Sequence, residues 1–174
     1  MVILTIDIGN TNIKYKCWKD GAVLCTGSIK PAEIGSLYGT ILTEMPARVV
    51  IANVGSVAIN DAIKCLFPEA ELQVIQSAAY CLGVQNAYEQ AERLGVDRWL
   101  AMIEAYHLSG KQACAIFDLG TALTLDIVDA DGVHQGGFIA PGLSMMRSAL
   151  LQSTERVRYL PKHSASLEYG KNTV

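Results

Sequence analysis

Paired cysteines, clustered histidines, an excess of one charge and long apolar runs are all missing from this 174-residue chain. Cys17, Cys25, Cys65, Cys81 and Cys114 are odd in number and scattered, with no C-x-x-C pair. That argues against a disulfide scaffold or a zinc ribbon and leaves buried free thiols in a reducing compartment. His107, His134 and His163 lack metal-ligand spacing, so each reads as a surface or structural residue. The 14 basic and 17 acidic residues give a net charge of -3 with no block of like sign. No nucleic-acid stripe and no membrane-surface patch is therefore expected. The apolar runs are too short to span a bilayer, and the opening MVILTIDIG carries no basic leader. A cytoplasmic location is the expectation. Neither G-x-x-x-x-G-K-[ST] nor G-x-G-x-x-G occurs: Gly110-Lys111 runs into Gln112, and Gly170-Lys171 into Asn172. Ser144 stands in PGLSMM without a nucleophile elbow or a partner base, and Met145 and Met146 read as helix core.

What is present is a core-building composition, 51% hydrophobic and 18% charged. Val2–Ile8 reads as a buried strand rich in β-branched residues. Asn12–Trp18 and Ala22–Ile29 read as a hairpin closed by Asp20-Gly21. Pro31 opens a helix expected to reach about Glu44. Strands are expected at Arg48–Val54 and Glu71–Ile75, and helices at Asn60–Phe67, Ala87–Leu94 and Arg98–Ser109. The alternation predicts an α/β fold with a mixed sheet flanked by helices.

The opening pattern then returns. IDIGNTNIKYKCWKDGAVLCTGSI is echoed by FDLGTALTLDIVDADGVHQGGFI, with Asp7 answering to Asp118, Gly9 to Gly120 and Asp20-Gly21 to Asp131-Gly132 at one constant offset. Two related lobes are predicted, residues 1–110 and 111–174, each opening on the same strand, turn and hairpin. Far more chain follows the first hairpin than the second, so the second lobe is expected to be incomplete and the chain truncated relative to a full two-lobe protein. Asn172 or Thr173 could cap a helix that does not follow.

Both turns suit an anion. Glycine lets backbone amides approach a ligand and form a nest. Asn10 and Thr11 add side-chain donors, Lys14 adds a positive charge, and Asp7 is placed to hold a hydrated magnesium ion. Gly120 and Thr121 repeat the donors and Asp118 the carboxylate. Two such turns facing each other across a cleft would grip a nucleotide triphosphate and its metal. Gly95-Val96-Asp97-Arg98 supports two readings. One makes Gly95 a helix C-cap, Asp97 the N-cap of the next helix and Arg98 a solvated charge. The other makes Asp97 a base that accepts an alcohol proton, kept ionised by Arg98, which can also bind an anionic substrate.

DIGNTNIKY, LGVDRW, FDLGTALTLDIVDADG and GGFIAPGLSMMRSALLQST, in that order and over nearly the whole chain, resemble the type III pantothenate kinases. That family belongs to the acetate and sugar kinase, heat-shock chaperone and actin superfamily, whose lobes are of ribonuclease H-like type. The resemblance implies ATP-dependent phosphorylation of pantothenate, the first step toward coenzyme A, with Mg2+ and an activating monovalent cation, K+ or NH4+. It implies that Asp7, Ile8, Gly9, Asn10, Thr11, Asn12, Ile13 and Lys14 form the first ATP motif, with Thr121 a further ATP contact. Tyr88, Gly95, Val96, Asp97, Arg98 and Thr173 match the pantothenate site, Asp97 being the proton acceptor, and Asp118 matches the monovalent-cation ligand. A homodimer is implied, with no nucleic-acid or membrane partner. Two alternatives stand beside it: another small-molecule kinase of the superfamily, or a nucleotide-binding regulatory protein of the transcriptional accessory kind without catalysis.

Overall fold

Val2–Ile8 forms β1, the central strand of a five-stranded mixed sheet in the computed structural model, which describes residues 1–40 and 44–154. β1 buries Val2, Leu4, Ile6 and Ile8 on one face, as an alternating strand must. β2 (Ile13–Lys19) and β3 (Ala22–Ile29) pair antiparallel beside it, while β4 (Arg48–Asn53) and β5 (Glu71–Val74) lie parallel on its other side, giving the order β3-β2-β1-β4-β5. Parallel neighbours need a crossover. A 3-10 turn (Pro31–Ser36) and α1 (Leu37–Thr40) lie between β3 and β4, and α2 (Ala58–Leu66) between β4 and β5. Leu37, Ile63 and Phe67 pack with the strand residues into the first core. The single helix expected from Pro31 to Glu44 is thus a 3-10 turn followed by a short α-helix; residues 41–43 lie outside the described residues.

A short hairpin of β6 (Tyr80–Cys81) and β7 (Val84–Gln85) follows, turned by Leu82 and Gly83 at positive φ. The helix expected over Ala87–Leu94 is absent; only Ala91–Arg93 forms a 3-10 turn. Gln90 and Leu94 are both extended and bound the single turn between them. Buried Asn86 ties the start of the segment down: its Nδ2 donates to the Ala78 and Ala91 carbonyls, and its Oδ1 accepts the Tyr88 N–H at 3.0 Å. α3 (Val96–Leu108) then runs back across the molecule. Trp99, Met102, Ile103 and Tyr106 bury one face of it with Val84, Leu94 and Val128 in a second core.

β8 (Cys114–Leu119), β9 (Ala122–Val128) and β10 (His134–Pro141) form a three-stranded antiparallel sheet, and α4 (Leu143–Ser153) follows. Its order, β10-β9-β8, repeats β3-β2-β1. The repeat is real at Asp7 and Asp118, but the constant offset hides two opposite changes. Ile8 pairs with Ile13 around a four-residue turn, whereas Leu119 pairs with Leu123 around a turn one residue shorter. Asp20-Gly21 is a two-residue turn with both residues at positive φ, whereas Asp131-Gly132 sits inside a longer loop closed by Asp129 N–H to the Val133 carbonyl. Thr121 is therefore the counterpart of Thr11, and Thr124 stands opposite Asp118 where Lys14 stands opposite Asp7. Met145 and Met146, expected in a helix core, are 49% and 41% exposed on α4. No helix among the described residues is long and apolar enough to cross a membrane.

Candidate functional site

α3 touches β4 in one sheet and β8 and β9 in the other. Its N-terminus is thereby held near both strand-ending turns. In the first turn, the Gly9 N–H donates to the Asn12 carbonyl at 3.0 Å. A Cβ on Gly9 would lie 3.2 Å from that oxygen, which is why glycine closes this turn. Ile8 and Ile13 are fully buried, so only their backbone can serve a ligand. Asn10, Thr11 and Lys14 are exposed. The Asn12 Oδ1 accepts from Lys30 Nζ at 2.9 Å. Lys30 was not among the expected residues, although the Ile13–Ile29 pairing brings the end of β3 to the turn and could have indicated it.

In the second turn, the Gly120 N–H donates to the Ala122 carbonyl at 3.0 Å and Gly142, the N-cap of α4, donates its N–H to the Thr121 carbonyl at 2.9 Å. A Cβ at Gly142 would come within 2.4 Å of the Gly120 carbonyl and 2.5 Å of the Thr121 carbonyl, so α4 can start against this turn only from glycine. The Oγ1 atoms of Thr11 and Thr121 lie 2.8 Å apart and hydrogen-bond across the two turns.

Asp97 is the second residue of α3, and its Oδ1 accepts the Arg98 N–H at 2.8 Å. Gly95 is the N-cap of α3, not a C-cap, and Asp97 lies inside the helix. A Cβ on Gly95 would meet the Asp97 carboxylate at 2.5 Å. Val96 is buried and anchors the first turn of the helix. Asp7, Asp97 and Asp118 are all solvent-accessible, yet Asp97 and Asp118 both act on Asp7. The Asp7 carboxyl is held above its ordinary value, chiefly by partial desolvation; Asp97 and Asp118 push it further and Lys14 opposes them.

A stability consequence follows with a definite sign. A raised acid pKa means that the folded state holds the proton more tightly than the unfolded one. The favourable contribution is complete below the ordinary carboxylate value of about 3.9 and is lost as pH rises through the folded value. At neutral pH, ionised Asp7 is repelled by its neighbours. Asp7→Asn is expected to raise the melting temperature modestly at pH 7, by a few degrees at most, and to lose that advantage near pH 3. Scanning fluorimetry of both proteins across this range checks it. An advantage that is equal at both ends would sink the electrostatic account.

Arg98 departs from both sequence readings. It is neither solvated nor paired with Asp97. Its Nε donates to Asp126 Oδ2 at 2.8 Å and its Nη2 to Asp126 Oδ1 at 2.5 Å, a two-toothed ion pair whose side chains are 10% and 2% exposed. The hydrogen bond to Asp126 raises the guanidinium pKa still further, against the effect of burial. Arg98 Nη1 also reaches the Tyr88 hydroxyl at 3.4 Å. A Cβ on Gly137 would fall 2.3 Å from Asp126 Oδ1 and 2.7 Å from Arg98 Nη2, so glycine makes room for the pair. Asp126 and buried His134 were both missed as site-supporting residues, because no local pattern links them to α3. Tyr88, Glu89, Gln90 and Arg93 line a cavity of about 450 Å³. Thr173 lies outside the described residues.

This arrangement can hold an anion on glycine-rich backbone turns, carry a cation on exposed carboxylates, and present a separate carboxylate to a hydroxyl group. The family model for type III pantothenate kinase matches residues 3–174. A type III pantothenate kinase of Pseudomonas aeruginosa is 37% identical over 183 residues, covering 99% of this chain and 73% of the relative. One from Ectopseudomonas mendocina is 39% identical over 164 residues, covering 91% and 65%. Among solved structures, a Campylobacter jejuni protein described as a Baf family transcriptional activator aligns with a TM-score of 0.60 at 19% identity, over 98% of this chain and 69% of that one. The ethanolamine utilization protein EutJ from Carboxydothermus hydrogenoformans aligns at 0.50 and 12% identity, over 88% and 57%. At these identities the two structures speak for the fold alone.

Proposed function

The chain belongs to the type III pantothenate kinase family, and from that premise we propose that it transfers the γ-phosphoryl group of ATP to the primary hydroxyl of pantothenate, giving 4'-phosphopantothenate at the first step of coenzyme A biosynthesis. The observation that carries this reading is the meeting of the two glycine turns, whose Thr11 and Thr121 Oγ1 atoms hydrogen-bond at 2.8 Å. Asp97, in the first turn of α3, is the carboxylate that this reading takes as the proton acceptor.

In this reading the Gly9–Asn12 and Gly120–Ala122 turns bind the phosphates through backbone N–H groups, with Thr11, Thr121 and Lys14 adding donors and charge. Asp97 orients the substrate hydroxyl and takes its proton late in an in-line displacement. The transition state is loose, so positioning and charge stabilisation supply most of the rate gain. The repulsion of Asp7 by Asp97 and Asp118 leaves negative charge that a cation can offset. Asp7 would hold Mg2+ together with phosphate oxygens, and Asp118 a monovalent cation. Bound there, the cations would neutralise charge that develops on the phosphoryl oxygens. Tyr88 and the Gly95–Arg98 segment would take pantothenate. Two lobes, 1–110 and 111–174, a homodimer and a cytoplasmic location complete the proposal.

The test supplies the purified chain with Mg-ATP and, separately, pantothenate, acetate, glycerol and a hexose. Release of ADP and the mass of the product are followed. Phosphorylated pantothenate is the expected product. Preferential phosphorylation of another acceptor would move the chain to a different kinase class. ATP binding without transfer to any acceptor would favour the regulatory reading.

A further inference from the structure

His134 is buried to 1% exposure, and the function proposed above gives it no task. Three contacts define its surroundings. Its ring stacks on Tyr88, with centroids 6.2 Å apart and planes inclined by 11°. The Ala87 N–H donates to its Nδ1 at 3.4 Å, which leaves Nε2 as the donor, and Nε2 meets Asp126 Oδ1 at 3.0 Å. That same carboxylate holds Arg98 through Nε and Nη2. One buried ring therefore backs Tyr88 and fixes the carboxylate that aims Arg98.

The donor count shows what is being aimed. A guanidinium carries five N–H groups. Two go to Asp126 and one to the Tyr88 hydroxyl, so two remain, one on each terminal nitrogen. An end-on fork matches a carboxylate. The imidazole cannot swing away to relieve a poor fit, because it is enclosed and held at both nitrogens.

We infer that His134 is a positioning residue: through Asp126 and through the Tyr88 ring, it sets the face on which a small carboxylate-bearing substrate binds. The inference rests on the proposed reaction for its kinetic readout, but its structural readout does not require turnover. His134→Phe keeps the ring against Tyr88 and removes the donor to Asp126. His134→Gln keeps an N–H able to reach Asp126 and removes the ring. The Arg98 Nε–H resonance, identified by its loss in Arg98→Lys, is expected to exchange with solvent on the order of tenfold faster in His134→Phe than in wild type. KM for pantothenate is expected to rise by a similar factor, with KM for ATP unmoved and kcat changing less. His134→Gln is expected to recover much of the slow exchange. A purely structural role would instead lower the melting temperature and the active fraction while leaving both KM values alone.

The outcomes separate the two ideas. Faster exchange in His134→Phe, in a protein whose wild type does not phosphorylate pantothenate, supports the positioning of Arg98 and overturns the proposed reaction. Unchanged exchange in folded His134→Phe overturns the inference and leaves the reaction standing. An unmoved KM for pantothenate in active His134→Phe also overturns the inference, whatever the exchange rate.

Discussion

Asp97→Asn is expected to lower pantothenate turnover by roughly 10²–10⁴-fold, the usual cost of losing a general base. The substitution is chosen because little else should change. An asparagine Oδ1 can still accept the Arg98 N–H that Asp97 accepts now, so the first turn of α3 keeps its contact. Gly95 leaves the same space beside either side chain. The lost charge near a helix N-terminus costs only about 0.3–1 kcal/mol, too little to unfold the protein. KM for ATP should move little, because the phosphates rest on the two glycine turns. There is a second expected effect: Asp7 loses one of its two repelling neighbours, so its pKa should fall toward the ordinary carboxylate value. Initial-rate kinetics with both substrates varied check the first effect, an NMR titration of the Asp7 carboxyl checks the second, and a melting curve shows whether the fold is intact. Turnover within a few-fold of wild type would remove Asp97 from the chemistry. A fall in activity matched by a fall in stability would make its role structural.

The parts of this site that could be read in the sequence are those set by neighbours along the chain. Asp7-Ile8-Gly9 and Asp118-Leu119-Gly120 end strands whose partners follow immediately, so turn chemistry and register are local properties. The parts that could not be read depend on contacts between distant elements. Arg98 and Asp126 meet because α3 lies on β9, and no hydrophobic period encodes which charge an arginine will choose. The spacing argument offered Asp97, its neighbour in sequence, whereas the guanidinium reaches across to a buried carboxylate. His134 looked isolated for the same reason: its partners, Tyr88 and Asp126, belong to other segments. At Ala87–Leu94 the apolar spacing suggested a helix, but Gln90 and Leu94 are extended and leave only a single 3-10 turn between them. On α4, Met145 and Met146 are apolar and exposed, since a sequence shows which side chains prefer cover and not which ones receive it. Even the repeat misled in detail. Equal spacing between the aspartates concealed a shorter turn and a longer loop, and only the strand pairing shows that Thr121 answers to Thr11.

Asp126→Ala is expected to destabilise the fold by about 3–5 kcal/mol, because it strands a charge in the interior. Arg98 would keep only the 3.4 Å contact to the Tyr88 hydroxyl, with its side chain 10% exposed, and His134 would lose the acceptor for Nε2. Burial is what makes the difference. Arg48 and Glu71 also form a two-nitrogen contact, at 2.9 and 3.1 Å, but their side chains are 40% and 65% exposed. Water screens that pair, and Glu71→Ala should cost no more than about 1 kcal/mol. The buried pair is not stabilising merely because it exists: removing both charges is less harmful than removing one. Arg98→Met combined with Asp126→Ala is therefore expected to be more stable than Asp126→Ala alone, with a coupling of about 1–3 kcal/mol between the two sites, although the double variant should still lose substrate affinity. Urea unfolding of wild type, the two single variants, the double variant and Glu71→Ala measures every term. If Asp126→Ala proves no more destabilising than Glu71→Ala, the carboxylate is not holding a desolvated charge, and Arg98 must find solvent or another partner when Asp126 is gone.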